Sequence, residues 1–350
     1  MRTLAGLASF VVLAALLVFA LPRTASATGP WVQTDNGYYT TARFGYFSSS
    51  KTYDANGDEV DLDGSLAYKE KSLRFDAEYG LSNKLTFLLG MPVLWKTQDV
   101  GNDVVRYNNS GFGDIDFGFK YGILTSPESK AAAAVELAAS APAGYNTEGF
   151  GVPSMGRGRF SFLGQLHAGM TLDPVPVYVQ GRIGYRYFTR KEVVPPDTSK
   201  TKLVSDAIMF GIEAGVYVTP KILLVGEYVG ENATDTDKHH FQSFGKVGGN
   251  VHYRLKPSLE VTAGLLTTMS GKNSINETAP VWKGTQFRVG VGLKGNDLGR
   301  NRGQGAYGYD EKAFPNAKPR KPPTPVPVPD PVPAPVVPTP APSDTTGTPK

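Results

Sequence analysis

The sequence predicts an all-β protein, a single transmembrane antiparallel β-barrel of about twelve strands that is followed by a disordered Pro-rich C-terminal tail. Three observations lead to this prediction. Apolar and polar residues alternate with a period of two, the connections between these segments are alternately long and short, and the chain opens with an export signal. The 350 residues include 40 Gly, 27 Pro and no Cys. This composition disfavours a helical bundle and excludes disulfide scaffolds, thiolate metal sites and a Cys nucleophile.

Residues 1–27 have the features of a signal peptide. Arg2 supplies the positive start, a long apolar run follows, Pro22 ends it, and Ala25-Ser26-Ala27 fits the small-x-small cleavage rule. The alternative is an uncleaved inner-membrane anchor, because the apolar run is longer than usual. No later stretch approaches 18 consecutive apolar residues, so any further crossing of a membrane must use strands.

Charge and proline separate the remaining chain into two domains. The barrel domain is assigned to 28–298, and its residues 28–295 carry 27 basic and 27 acidic side chains. This neutrality gives no footprint for nucleic acid. The segment 299–350 is assigned to a disordered periplasmic tail, because residues 296–350 hold 14 of the prolines and cannot form a ladder or a helix.

Twelve segments show strand periodicity. In 285–295, for example, Phe287, Val289 and Val291 share one face while Arg288 and Lys294 lie on the other. Pro92 lies inside the third segment and is expected at a bulge or at an earlier strand end. The predicted strands are 37–48, 71–81, 84–94, 111–123, 131–140, 159–172, 176–188, 206–218, 221–231, 243–255, 258–269 and 284–295.

The connections alternate in length. Six long loops are predicted at 49–70, 95–110, 141–158, 189–205, 232–242 and 270–283, and the five connections between them are short turns, four of which contain Pro. Even strand number, short periplasmic turns and long external loops are typical of outer-membrane barrels. A soluble sandwich would share the alternation, but the turn asymmetry, strand length and export signal favour the barrel.

The polar face carries charge on nearly every strand, which suits an aqueous barrel interior. The mid-strand residues predicted to line a pore and to set its charge are Arg43, Asp76, Asp116, Lys120, Arg182, Glu213, Glu227, Arg254 and Arg288. The alternative is that these charges pair into a closed network and fill the barrel, leaving a purely structural body.

Two consecutive segments resemble a known family. These are YGLSNKLTFLLGMPVLW (79–95) and GFGDIDFGFKYGIL (111–124). They are similar to the outer-membrane β-barrel proteins named for the meta-cleavage (MetA) pathway of phenol degradation. The resemblance covers about 37–295 and implies a small porin-like channel, in some members tied to uptake of aromatic or poorly water-soluble compounds. It implies no catalytic residues, and the Pro-rich tail departs from the family's usual ending.

These observations lead to a predicted outer-membrane channel for passive passage of small solutes, in a Gram-negative bacterium. Its expected partners are outer-membrane lipid and small-molecule solutes, with no nucleic acid and no cofactor. The alternative function is a structural anchor whose tail contacts the cell wall or a periplasmic protein. An enzyme is not expected, since His167 and His252 have no Ser in a nucleophile motif beside them.

One loop partly matches a calcium-binding sequence. Residues 54–64 begin with Asp54, Asn56 and Asp58 in the D-x-N-x-D spacing of oxygen ligands. The sixth position is Glu59 where Gly is needed, and the twelfth is Ser65 where Glu is needed. The sequence therefore leaves open whether this loop binds a divalent cation, and no metal site is assigned.

Overall fold

The computed structural model describes the barrel and several of its connections. The predicted signal peptide and tail lie outside the described residues, so what the sequence predicts for them, including the partners of the tail, stays a prediction. The described residues are 29–61, 67–100, 105–125, 130–143, 152–172, 175–189, 192–193, 200–201, 204–236, 241–256, 258–274 and 281–295.

Strands make up most of these residues. Within this part of the chain, no helix is long and apolar enough to cross a bilayer. The strands are β1 (Tyr38–Ser49), β2 (Lys51–Tyr53), β3 (Glu59–Asp61), β4 (Tyr68–Gly80), β5 (Leu85–Val100), β6 (Val105–Phe112), β7 (Asp114–Leu124), β8 (Ala131–Pro142), β9 (Ser161–Thr171), β10 (Val177–Phe188), β11 (Glu192–Val193), β12 (Lys200–Thr201), β13 (Ala207–Thr219), β14 (Ile222–Ala233), β15 (Gln242–Lys256), β16 (Leu259–Asn273), β17 (Trp282–Lys283) and β18 (Thr285–Gly295).

The main sheet closes on itself. Antiparallel pairing runs through β4, β1, β18, β16, β15, β14, β13, β10, β9, β8, β7 and β5, and β5 pairs again with β4. The first and last strands meet over ten residue pairs, from Tyr38↔Gly295 to Phe47↔Gln286. β6 and β7 follow one another as a single strand, so the barrel has the twelve strands that the sequence predicts.

A bulge marks the junction of β6 and β7. β5 pairs with β7 as far as Gly90↔Asp116 and with β6 from Val93↔Phe112, so two residues of β5 face three residues of its partner. Pro92 is one of the two, and its carbonyl accepts a hydrogen bond from Gly113 N–H at 2.9 Å. A residue without N–H is tolerated at such an irregularity, which confirms the bulge alternative for Pro92.

The prediction of a long loop at 95–110 was wrong in part, because β5 and β6 extend into this range as a hairpin. Near its tip, Arg106 Nε lies 2.7 Å from Asp99 Oδ1, and this hydrogen bond lowers the pKa of the Asp99 carboxyl. The loop predicted at 49–70 also contains strand, since β2 pairs with β3 and with β17 in a separate three-stranded sheet. Three-residue strands are too short to show a period, which is why the pattern missed them.

The outer face of the barrel is apolar and exposed. On β7, Phe117 and Phe119 are 44% and 48% exposed, whereas Lys120 is only 2% exposed. Ile212 at the middle of β13 is 65% exposed. Exposed large apolar side chains on nearly every barrel strand form a surface suited to lipid, and closure pairs the backbone groups that lipid leaves unsolvated. The barrel is therefore built to span a membrane.

The lipid-facing assignment predicts a depth-dependent cost of charge. Ile212→Arg at mid-strand should lower the free energy of unfolding from a bilayer by about 2–4 kcal/mol, and Ile208→Arg near the strand end by about 0–1 kcal/mol. Urea titration of the two variants in liposomes measures both values. Equal costs at the two positions would contradict the assigned lipid face.

Candidate functional site

One group of paired charges lies on β1, β4 and β7. Arg43 Nη2 lies 2.6 Å from Asp76 Oδ2, and Arg74 Nε lies 2.7 Å from Asp76 Oδ1. Arg74 Nη2 lies 3.0 Å from Asp116 Oδ2, and the Ser140 hydroxyl also donates to Asp116. The structure thus brings three of the predicted pore residues, Arg43, Asp76 and Asp116, into one network together with Arg74.

A second group shows which side of the wall faces inward. Arg288 on β18 forms an ion pair with Glu227 on β14, although two strands separate β18 from β14 in the sheet. Asn250 on β15 joins them, donating to Glu227 Oε1 at 2.9 Å and accepting from Arg288 Nη2 at 3.1 Å. Only side chains that point into a closed barrel can meet across intervening strands. The charged face is therefore the interior.

The remaining predicted residues are spread around the wall. Lys120 Nζ lies 3.5 Å from Glu78 Oε2, and Glu213 accepts from the Tyr178 hydroxyl at 2.6 Å and from Gln180 Nε2 at 2.8 Å. Arg254 hydrogen-bonds Tyr217. Arg182 forms no ion pair within 4 Å among the described residues.

Most of the predicted pore charges are thus paired along the wall rather than arranged as one ring. This pairing agrees with one part of the alternative hypothesis, in which the interior charges pair with one another and fill the barrel. The two strand histidines also contact carboxylates: His167 Nε2 lies 3.1 Å from Glu136, and His252 Nδ1 lies 3.6 Å from Glu260.

The segment before β1 lies inside the barrel at its short-turn end, which sequence reasoning missed. Gln33 N–H donates to Thr86 Oγ1 at 2.8 Å, and Gln33 Nε2 donates to Glu78 Oε2 at 3.0 Å. Two residues earlier, the edge of the Trp31 ring packs on Tyr178 of β10, with centroids 6.3 Å apart. Three strands separate β5 from β10 in the sheet, so residues 29–36 cross the interior.

Two glycines make room for this segment. A Cβ on Gly80 would lie 1.8 Å from the Thr34 carbonyl oxygen, and a Cβ on Gly169 would lie 3.0 Å from the Trp31 ring and from Pro30. Trp31 is buried in an interior apolar cluster with Ala132, Tyr178, Tyr217, Leu223 and Val225. A large apolar ring such as that of Trp31 is unusual in an exposed segment before the first strand, and this was the signal available in the sequence.

A second inward segment, residues 152–160, lies at the long-loop end. Arg157 connects it to several strands: its backbone N–H donates to Asp114 Oδ2 at 2.9 Å, its Nη1 lies 2.6 Å from Glu231 Oε1, and its guanidinium lies 5.2 Å from the ring centre of Phe188. Ser154 carbonyl oxygen accepts from Lys96 Nζ at 2.7 Å. Residues 152–160, which precede β9, therefore lie in the interior and narrow it.

Beside this segment lies a cavity of about 230 Å³. Four aromatic side chains line it, from Phe47, Tyr68, Phe244 and Trp282. Tyr68 and Trp282 are stacked, with centroids 4.5 Å apart and planes 5° apart, and Phe47 meets Tyr68 edge-on at 6.0 Å.

Three charged side chains share the same cavity. Glu70 lies 3.5 Å from Lys96 Nζ and accepts from the Tyr68 hydroxyl at 2.6 Å. Lys246 Nζ lies 4.9 Å from the ring centre of Phe244. The cavity thus combines an aromatic wall with two ammonium groups and one carboxylate.

The loop that resembles a calcium site uses its first carboxylate internally. Asp54 Oδ1 accepts the backbone N–H groups of Asn56, Gly57 and Asp58 at 2.8, 2.8 and 2.9 Å. These backbone hydrogen bonds, that of Asp58 first, lower the pKa of the Asp54 carboxyl. Residues 62–66 lie outside the described part, and within the described part no group of His, Asp and Glu could hold a metal ion.

Comparisons with known proteins agree with this geometry. The family model described as "Putative MetA-pathway of phenol degradation" matches residues 49–279. The chain belongs to this family. The match spans most of the barrel and confirms the resemblance carried by residues 79–95 and 111–124.

Three solved structures superpose on the chain, and the first of them shares its fold. An outer-membrane channel from Pseudomonas putida F1 superposes with a TM-score of 0.56 at 12% identity, covering 77% of this chain and 99% of that one. The NanC porin superposes with a TM-score of 0.45 at 8% identity, covering 72% and 98%. The monoaromatic hydrocarbon channel CymD gives 0.36 at 9% identity, covering 75% and 89%. No curated protein matches the sequence significantly.

The crossing of the interior by residues 29–36 can be tested by cross-linking, because the chain has no Cys of its own. Gln33→Cys with Thr86→Cys should form a disulfide under mild oxidation, since the Gln33 amide touches the Thr86 side chain. Mass spectrometry of the full-length protein detects the bond.

The matched control pairs Gln33→Cys with Thr262→Cys on β16, which three strands separate from β5 in the sheet, and should stay reduced. If the Thr86 pair cross-links no better than this control, residues 29–36 do not cross the interior as described.

Proposed function

We propose that this protein is an outer-membrane channel for passive passage of small solutes, including aromatic and poorly water-soluble compounds. The observation that carries the proposal is the aromatic-lined cavity inside a closed, lipid-facing barrel. A structural body needs its interior filled, whereas this interior keeps a pocket of about 230 Å³ beside the paired charges. The family's description, which concerns phenol degradation, supports the same class of solute.

Barrel size supports a narrow passage. Eight-stranded barrels are filled by side chains, and barrels of 16–18 strands leave an open aqueous pore. Twelve strands lie between these limits, and residues 29–36 and 152–160 occupy part of the interior. Small solutes should therefore pass at a low rate, and large hydrophilic solutes should be excluded.

The orientation follows the rule for bacterial barrels, in which short turns face the periplasm and long loops face the outside. The aromatic cavity then lies at the external mouth, and Trp31 lies at the periplasmic mouth. This orientation would place the C-terminal tail in the periplasm, because β18 ends beside the start of β1.

The nine charged residues predicted to line the pore belong to this proposal as the charge of the passage. Pairing leaves most of them locally neutral, so they orient a dipolar solute without attracting one sign of ion strongly. Arg182 differs, because it forms no ion pair within 4 Å among the described residues and interacts with Glu136 and Glu213 only at longer range.

Loosening the periplasmic end should raise conductance. Full-length protein in planar bilayers should show openings of small conductance. Trp31→Ala should raise the conductance severalfold, because the substitution removes the ring that packs on Tyr178. Trp95→Ala, at an exposed position on the outer face, is the matched control and should leave conductance unchanged. Silence from folded wild-type and Trp31→Ala protein would overturn the channel.

Arg182 should set ion selectivity. Arg182→Glu reverses the charge of a side chain that has no ion pair to lose, so the reversal potential in a KCl gradient should move toward cation preference. Lys272→Glu makes the same change of charge at an exposed lysine of the rim and should shift the reversal potential less. Equal reversal potentials in Arg182→Glu and wild type would remove Arg182 from the ion pathway.

A further inference from the structure

We propose that the cavity beside residues 152–160 is a binding subsite for small aromatic carboxylates, with the ring against the aromatic wall and the carboxylate on Lys246. The subsite rests on the proposed channel function, because a solute entering from the long-loop end would meet it first. Four observations carry it: the cavity's size, the continuity of its aromatic wall, the pairing of its charges, and the position of Lys246.

The size of the cavity fits one ring with a small substituent. A protein cavity of about 150 Å³ is large enough to bind benzene. The space here is about 230 Å³, which leaves room for a carboxylate next to a single ring. Two fused rings with a substituent would require the inward segment to move.

The wall offers contiguous ring surface. Trp282 and Tyr68 are stacked in parallel, and Phe47 packs edge-on against Tyr68. Phe244 stands on the same cavity and carries the ammonium of Lys246 near its ring. Offset-stacked and edge-to-face contacts with such side chains favour an aromatic ring over a saturated ring of similar area.

The charges of the cavity favour an anion. Lys96 already has two partners, the Glu70 carboxylate and the Ser154 carbonyl oxygen. Lys246 forms no ion pair within 4 Å among the described residues, and its ammonium lies near the ring of Phe244. With one carboxylate and two ammonium groups, the lining of the cavity has a net charge of +1 beside aromatic surface.

These features rank three probes that share one ring. Benzoate satisfies both the ring surface and Lys246, benzyl alcohol satisfies the ring surface alone, and benzylamine brings a second positive charge next to Lys246. An aromatic pocket without Lys246 would instead bind benzylamine more tightly than benzyl alcohol, because aromatic faces attract ammonium groups.

Calorimetric titration of full-length protein in lipid nanodiscs, with empty nanodiscs as the blank, measures this ranking. Benzoate should bind about tenfold more tightly than benzyl alcohol, the scale of one charge-assisted contact, and benzylamine should not bind measurably. Lys246→Gln should remove the advantage of benzoate, while Lys272→Gln on the exposed rim should retain it. Trp282→Ala should weaken benzoate and benzyl alcohol alike, and Trp95→Ala should weaken neither.

Equal affinity for benzoate and benzyl alcohol in wild-type protein would overturn the subsite, as would undiminished benzoate binding in a folded Lys246→Gln variant. Heat-dependent mobility on gels shows whether each variant is folded. If a variant does not fold, the comparison of benzoate with benzyl alcohol in wild-type protein still tests the subsite. Conductance recorded without benzoate separates the two proposals: openings without selective binding leave the channel standing and the subsite refuted. Selective binding by a silent barrel refutes the channel instead.

Discussion

Closure of the sheet between β1 and β18 is the constraint on which the rest of the structure depends. In lipid every backbone N–H and C=O must find a partner within the protein, and a sheet can supply all of them only when its first and last strands pair. Ten residue pairs make this seam. Once it is closed, the two-residue period of each strand sorts side chains into an apolar outside and a polar inside, as Phe119 and Lys120 show on neighbouring positions of β7.

Closure also directs the charged side chains of the wall into a confined interior. Charged side chains that turn away from lipid must be solvated or paired, because an isolated buried charge is costly. Arg74 bridges Asp76 and Asp116, and Arg288 reaches Glu227 across two strands. The interior then closes further through two pieces of chain that are not strands, the segment around Trp31 and the segment around Arg157. What remains is a cavity at the end with the long loops, where aromatic side chains meet an ammonium without an ion pair.

The sequence predicted the barrel well because the alternation in stretches such as 285–295 records the inside and outside directly. It predicted Pro92 at an irregularity because proline lacks the N–H that a ladder needs. The sequence did not predict the structure of segments in which apolar and polar residues do not alternate. The hairpin of β5 and β6 carries polar residues on both faces near its tip, so its residues resembled a loop. Neither Trp31 nor Arg157 lies on a periodic segment, so their inward packing, which depends on the small volume of Gly169 and on a distant Glu231, left no pattern. Similarly, Trp282 lies in the loop predicted at 270–283, and only the folded chain shows its stack on Tyr68.

The central claim is that a narrow, aromatic-lined passage runs through this barrel, and swelling of proteoliposomes tests it most directly. Full-length protein should admit benzenesulfonate, whose permanent charge keeps it from crossing lipid unaided, and should exclude a neutral trisaccharide. Protein-free liposomes provide the baseline for both solutes. Swelling with benzenesulfonate alone is the result that the structure predicts. Equal swelling with the trisaccharide would show a wide pore, and no swelling with either solute would show a barrel that does not conduct.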